Sequence, residues 1–213
     1  ITFNYLAGTN NVSGDYTAGT NPALPDEVPS YKSNKNGDWS DETIWDAIGA
    51  SPPCPIGGPN GFNVIIDHDV TTNVNYCFAY QSTINGKLRI VSPTFGHNLG
   101  TVNGSGTIYL EGSNLPAGTF DQFLDCATGG TLEYGGSGNY TIIASLYNSV
   151  PNLYFSGSGT RTLPNKDLTI CNRLKINGPT LDNSVSNRKL TILGTMERYN
   201  TGAFRCGSGA NAI

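Results

Sequence analysis

One short unit recurs from residue 88 onward: an apolar–x–apolar triplet, followed by polar turn residues and usually a glycine. Its copies are Leu88-Arg89-Ile90, Ile108-Tyr109-Leu110, Leu132-Glu133-Tyr134, Leu153-Tyr154-Phe155, Leu174-Lys175-Ile176 and Leu190-Thr191-Ile192, spaced 20, 24, 21, 21 and 16 residues apart. Extended chain turns alternate side chains to opposite faces, so each copy sends two apolar groups inward and one outward. A unit this short cannot bury its own apolar side, but stacked copies make a continuous core. Further β-like pieces lie between the copies: Phe120 to Leu124, Tyr140 to Ile143, Thr160 to Leu163, and Leu168 to Ile170. Gly112, Gly135, Gly157, Gly178 and Gly194 fall after the triplets, where a coil must turn sharply. The period predicts an all-β fold, a right-handed parallel β-helix (solenoid) of about six to seven coils. At roughly 4.8 Å per rung the rod would be on the order of 30 Å long. An antiparallel sandwich also has many short strands, but it predicts paired hairpins and no recurrence near 21 residues.

The rest of the sequence fits a large β domain. Only 13% of the 213 residues are charged, and there are 27 Gly and 12 Pro, which suits short strands joined by polar turns. A net charge of −4 argues against nucleic-acid binding, and no apolar run approaches a membrane span, so no membrane insertion is expected. Residues 1–160 hold 4 basic and 13 acidic side chains, and residues 161–213 hold 8 and 3. An acidic start and a basic end either are two solvated faces or favour head-to-tail contact with neighbouring modules.

The five cysteines show no CxxC spacing, and with only His68 and His97 available neither a metal nor another cofactor is expected. Cys54 and Cys77 stand 23 residues apart, about one coil, and that spacing allows a bridge between adjacent rungs.

Residues 1–35, with Pro22, Pro25 and Pro29, read as an extended lead-in or linker. Residues 36–213 read as the β-helix with an N-terminal cap. In Asp38-Trp39-Ser40-Asp41-Glu42-Thr43-Ile44-Trp45, Ser40 could cap a short turn, and the two tryptophans could cover the bare end of the stack. Carbohydrate stacking is the other use for Trp39 and Trp45. The end, Phe204 to Ala210, offers no closing element, and the first residue is Ile. Both lead us to expect an excised or processed part of a longer protein, with the coils truncated at the C-terminal end.

Residues 36–194 resemble a module common in Bacteroidetes surface and secreted proteins, in which a GxW…W segment and a Pro-containing loop lead into VxI…H.VT and β-helical coils. The matching residues are Asn36-Gly37-Asp38-Trp39-Ser40, Trp45, Pro52-Pro53, Val64-Ile65-Ile66, His68 and Val70-Thr71. Arg173 to Gly178 and Lys189 to Gly194 match the later coils. The start is also similar to the G8 domain of extracellular animal proteins. The resemblance implies a large adhesin, of the gliding-motility kind, exported by type IX secretion, and hence an extracellular, cell-surface or secreted location. It also implies that His68 belongs to the entry turn, as part of the cap. The C-terminal sorting domain of a complete type IX cargo does not occur in these residues.

Three constellations invite chemistry. In Asp67-His68-Asp69 the carboxylates face one side of a strand and the imidazole the other, so the trio cannot converge on a single point. Polysaccharide-degrading β-helices need carboxylates on neighbouring rungs for calcium and a basic residue to take a proton. Here Glu111 and Glu133 fall at different places in their coils, and Asp121 and Asp125 share one loop. The outward triplet positions form a row, Arg89, Tyr109, Glu133, Tyr154, Lys175 and Thr191. It is either a solvent face stabilised by pairs on adjacent rungs or a glycan-binding row with Tyr109 and Tyr154 about 10 Å apart. We therefore expect a non-enzymatic extracellular module that extends and displays a surface, with glycans and neighbouring modules as partners. A polysaccharide lyase or glycoside hydrolase on the same fold is the alternative.

Overall fold

The computed structural model describes residues 28–144 and 147–206. Its strands are β1 (Ser30–Ser33), β2 (Gly37–Asp38), β3 (Trp45–Ile48), β4 (Asn63–Ile66), β5 (Asp69–Thr72), β6 (Gln81–Ile84), β7 (Lys87–Ile90), β8 (Asn98–Asn103), β9 (Thr107–Leu110) and β10 (Ala117–Thr119). They continue as β11 (Thr131–Tyr134), β12 (Tyr140–Thr141), β13 (Ser149–Phe155), β14 (Thr160–Thr162), β15 (Leu168–Asn177), β16 (Thr180–Asp182), β17 (Leu190–Ile192), β18 (Thr195–Tyr199) and β19 (Ala203–Arg205). They stack as a parallel β-helix of about seven turns. One sheet, β17-β15-β13-β11-β9-β7-β5-β2 with β18 also on β15, runs the length of the solenoid. A second, β10-β8-β6-β4-β1-β3, lines the first coils, and a third, β12-β14-β16-β19, lines the last.

The triplets stack as their spacing predicts. Val70, Leu88, Ile108, Leu132, Leu153 and Leu174 are in register and form one inward column, with the exposed Met196 next in register on the last rung. Thr72, Ile90, Leu110, Tyr134, Phe155 and Ile176 form the next. Leu190-Thr191-Ile192 differs from its expected place. It pairs with Leu168-Thr169-Ile170, while Thr195–Tyr199 takes the rung above Leu174-Lys175-Ile176. The ten-residue β15 carries two triplets, one on each side of a register shift against β13, and this explains the short 16-residue interval.

The first rung begins before the tryptophans. β1 pairs in parallel with β4, and its Tyr31 is fully buried, so residues 30–33 of the expected lead-in already belong to the solenoid. Residues 1–27 lie outside the described residues. β3 runs antiparallel to β1 and occupies the edge of the second sheet beyond the parallel strands. Trp39 and Trp45 are buried edge-to-face with centroids 5.5 Å apart. Both indole N–H groups are used: Trp39 Nε1 donates to Asn60 Oδ1 at 3.1 Å, and Trp45 Nε1 to the Trp39 carbonyl at 3.0 Å. The turn between them, Glu42–Ile44, is capped by Asp41, whose Oδ1 accepts the Thr43 N–H, and not by Ser40.

The Cys54–Cys77 bridge does not form. Both thiols are free, and the disulfide joins Cys126 to Cys171, 45 residues apart with Cα atoms at 5.6 Å. The interval from Cys54 to Cys77 is not a coil, because Cys54 sits in the Pro/Gly loop after β3, off the stack. Cys77 points into the core, with its Sγ donating to the Val74 carbonyl at 3.3 Å. Burial pushes the Cys77 thiol up to about 12.

Two buried phenols give the core an alkaline limit. Tyr134 and Tyr147 share a 2.8 Å hydrogen bond between their hydroxyls. Burial raises both pKa values, Tyr147 to about 12. In the unfolded chain each ionises near about 10, so the folded state keeps its protons to higher pH. The resulting stability is complete below about pH 10 and is lost as pH climbs toward 12, with Tyr147 alone accounting for about 2–3 kcal/mol. Thermal melts across this range should show a falling Tm, and Tyr147→Phe should flatten the fall. An equal slope in the variant would dismiss the pair as the cause.

Candidate functional site

The outward row is continuous. Thr71, Arg89, Tyr109, Glu133, Tyr154, Lys175 and Glu197 follow one another in register, so Glu197 stands where Thr191 was expected. Its members are partnered with one another and with their flanks. Arg89 grips Asp69 through Nε and Nη2, at 2.7 to 2.9 Å, and its guanidinium carbon lies 5.1 Å from the Tyr109 ring centroid. Lys87 reaches past Tyr109 to Glu133 Oε2 at 2.7 Å, and Ser156 donates to the other oxygen of Glu133 at 2.7 Å. Lys175 sits over Tyr154 and Tyr199, 5.5 and 5.2 Å from their centroids, and Arg173 donates to the Tyr154 hydroxyl at 3.2 Å.

Tyr109 is held most firmly. Its ring lies between those cations and the Gly135 backbone, where an added Cβ would come within 2.2 Å of Cε2. Its hydroxyl accepts the Gly136 N–H at 3.0 Å and donates to Glu111 at 3.1 Å. Such pairs contribute tenths of a kcal/mol to about 1 kcal/mol each, so the row acts as bracing between rungs.

Asp67, His68 and Asp69 diverge. Asp67 pairs with Lys32 at 2.7 Å and accepts from Asn85, and those two bonds hold its carboxyl below the usual carboxylate range. His68 Nδ1 donates to the Ser33 carbonyl at 2.9 Å, and Asp69 belongs to Arg89. Asp125 accepts from Ala127 N, Thr128 N and Thr128 Oγ1, which lowers its pKa and ties it to its own turn. Asp121 and Asp125 line a shallow hollow with Asn103, Gly104, Gln122 and Thr128. Among the described residues no three His, Cys, Asp or Glu side chains gather where they could hold a metal.

Two features escape a reading of the triplets. A hollow of about 630 Å³ lies between the turns 90–97 and 110–117. In its wall, buried His97 accepts the Cys77 N–H at Nδ1 and faces Thr94 Oγ1 from Nε2. That fixes the proton on Nε2, and burial lowers its pKa. The second feature is a strip of exposed aromatics, Tyr76, Phe78, Tyr80 and Phe95. Its signal is Tyr76-Cys77-Phe78-Ala79-Tyr80, which alternates large and small residues in the phase opposite to the core triplets. No family model, curated protein or solved structure matches this chain.

Proposed function

We propose that the chain is a non-enzymatic module of an extracellular bacterial surface protein, an adhesin-like solenoid that extends from its neighbours and displays a surface to glycans. The observation that carries this reading is the outer row of the full-length sheet. Its charged groups from Arg89 to Glu197 are taken up in bracing successive rungs, so its chemistry serves the rod. Two further observations support it. The Cys126–Cys171 disulfide suits an oxidising, extracellular compartment. The charge asymmetry between residues 1–160 and 161–213 suits end-to-end contact with neighbouring modules. The type IX-secreted, gliding-motility origin is part of the same proposal and rests on the resemblance of residues 36–194.

The test is turnover. Incubated with calcium and a panel of neutral and uronate polysaccharides, the protein should release neither new reducing ends nor unsaturated products. Release that disappears in Asp121→Asn or Asp125→Asn would replace the display reading with a lyase or hydrolase.

A further inference from the structure

The glycan-facing surface of the proposed module can be placed from the exposed aromatics. Tyr76, Phe78 and Tyr80 are 64%, 47% and 64% exposed, while the intervening Cys77 and Ala79 are buried. Alternate residues of extended chain lie about 7 Å apart on one face, so Phe78 and Tyr80 stand side by side, while Tyr76 precedes them in a turn with φ of +60°. Phe95, from the next coil, makes an edge-to-face contact with Tyr76 at 5.3 Å and adds a second exposed ring there. The rings are exposed yet seated on backbone. An added Cβ at Gly96 would lie 2.5 Å from Tyr76 Cδ1, and one at Gly61 would lie 3.6 Å from the Phe78 ring.

Beside Tyr80 the strip opens into a trough of about 660 Å³ lined by Gln81, Asn98, Thr101, Thr119 and Gln122, with Gly100 and Gly118. The two glycines stack closely, since a Cβ at Gly118 would lie 2.8 Å from the Gly100 carbonyl oxygen. They leave one side of the trough without side chains. Every lining side chain is an amide, a hydroxyl or the Tyr80 phenol.

The absence of formal charge extends well beyond the lining. Residues 70–86, 91–110 and 112–120 contain no Asp, Glu, Lys or Arg, so Lys87, Arg89 and Glu111 are the charged residues between 70 and 120. Asp121 and Asp125 line the separate hollow that shares only Gln122 with the trough.

From this we infer that the face formed by Tyr76, Phe78, Tyr80 and the adjoining trough binds a neutral glycan. Aromatic faces stack on the apolar C–H face of a pyranose, and amides and hydroxyls exchange hydrogen bonds with its hydroxyl groups. A uronate or sulfated chain would find no cation in the trough to replace its lost hydration. A protein partner would be expected to bring charges to a polar rim, and beyond Asp121 and Asp125 in the adjoining hollow the stretches that form the trough carry none to pair with them. With no carboxylate lining it, the trough holds its ligand without cleaving it. The inference rests on the display reading above and gives it a site and a ligand class.

The experiment is affinity electrophoresis of the purified protein through gels containing a neutral polysaccharide (β-glucan, xylan, mannan or soluble chitin derivative), polygalacturonate or heparan sulfate. At least one neutral gel should retard the protein, and high salt should leave the retardation unchanged. Tyr80→Ala and Phe78→Ala should each weaken it about tenfold. Thr119→Arg, at an exposed position, should block the trough to the same extent while the melting curve stays that of the parent. Retardation that survives all three variants but is lost in Tyr154→Ala would overturn this site and leave the glycan-display reading standing. Retardation only by the anionic polymers would overturn the ligand class. No retardation in any gel would overturn both.

Discussion

Replacing Arg161 with alanine is expected to destabilise the protein by about 3–5 kcal/mol, seen as a lower urea midpoint. Arg161 is fully buried on β14, with no acidic partner among its contacts. Its guanidinium is held by main-chain oxygens: Nη1 donates to the carbonyls of Gly138 and Ser158 at 2.7 and 2.9 Å. Nη2 donates to those of Gly135, Gly136 and Ser156 at 2.8, 3.1 and 3.3 Å. Tyr140 lies beneath the guanidinium, 4.3 Å from carbon to ring centroid, and donates its own hydroxyl to Gly135 O at 2.9 Å.

The burial of this cation has a considerable desolvation cost, offset by five oriented dipoles and a π face. Truncation removes the offset together with the charge. It leaves the carbonyls of two successive turns short of a donor and a void where the side chain was. Several of these oxygens are only partly buried and can recruit water, so the loss stays well below five separate hydrogen bonds. Arg161→Lys should fall between parent and alanine, because an ammonium cannot span both turns. Amide exchange should quicken first at Ser156 and Ser158. A loss below about 1 kcal/mol for alanine would show that the two turns are held by something else.

How much of this was legible in the sequence differs from feature to feature, for physical reasons. The solenoid follows from the triplets because a strand period of two and a coil near 21 residues leave few other ways to bury Leu88, Ile108, Leu132, Leu153 and Leu174 together. The row from Arg89 to Lys175 was legible for the same reason, since each is the middle residue of a triplet. Position along the rod was less so. Equal coil lengths are assumed when 23 residues are taken to bridge Cys54 to Cys77, and the Pro/Gly loop after β3 breaks that assumption. Cys126, in the turns between β10 and β11, reaches Cys171 on β15, two strands beyond β11 in the long sheet, and spacing within one coil does not announce that pairing.

Arg161 was hidden by its charge. Thr160-Arg161-Thr162 reads naturally with the arginine outward, and only the glycine-rich turns at 135–138 and 156–159 supply a reason for it to point inward. Phe78 and Tyr80 were hidden by phase, and Tyr76 by a positive-φ turn that alternation does not show. Alternation shows that a strand has two faces, but a shift of one residue exchanges them, and large aromatics suggest the wrong one.

The same stacked turns make a second, equally local demand, and Gly157→Ala is expected to cost about 3–5 kcal/mol. Gly157 has φ of +82°, and a Cβ built on it would fall 1.9 Å from the carbonyl oxygen of Gly136 in the turn below. That oxygen is already engaged, accepting the Ser158 N–H at 3.1 Å and Arg161 Nη2 at 3.1 Å. Moving it aside loosens both bonds, and the turn above is fixed in turn, since a Cβ on Gly178 would fall 2.3 Å from Gly157 O. The conformational share can be measured separately. Gly138 has a similar φ of +87°, but an added Cβ there would meet nothing within 4 Å, so Gly138→Ala should cost only the left-handed penalty of about 1–2 kcal/mol. The difference between the two variants is the steric term of stacking one coil on the next. Equal losses would mean that backbone conformation alone selects glycine in these turns, and that the close approach of the rungs is relieved by small shifts.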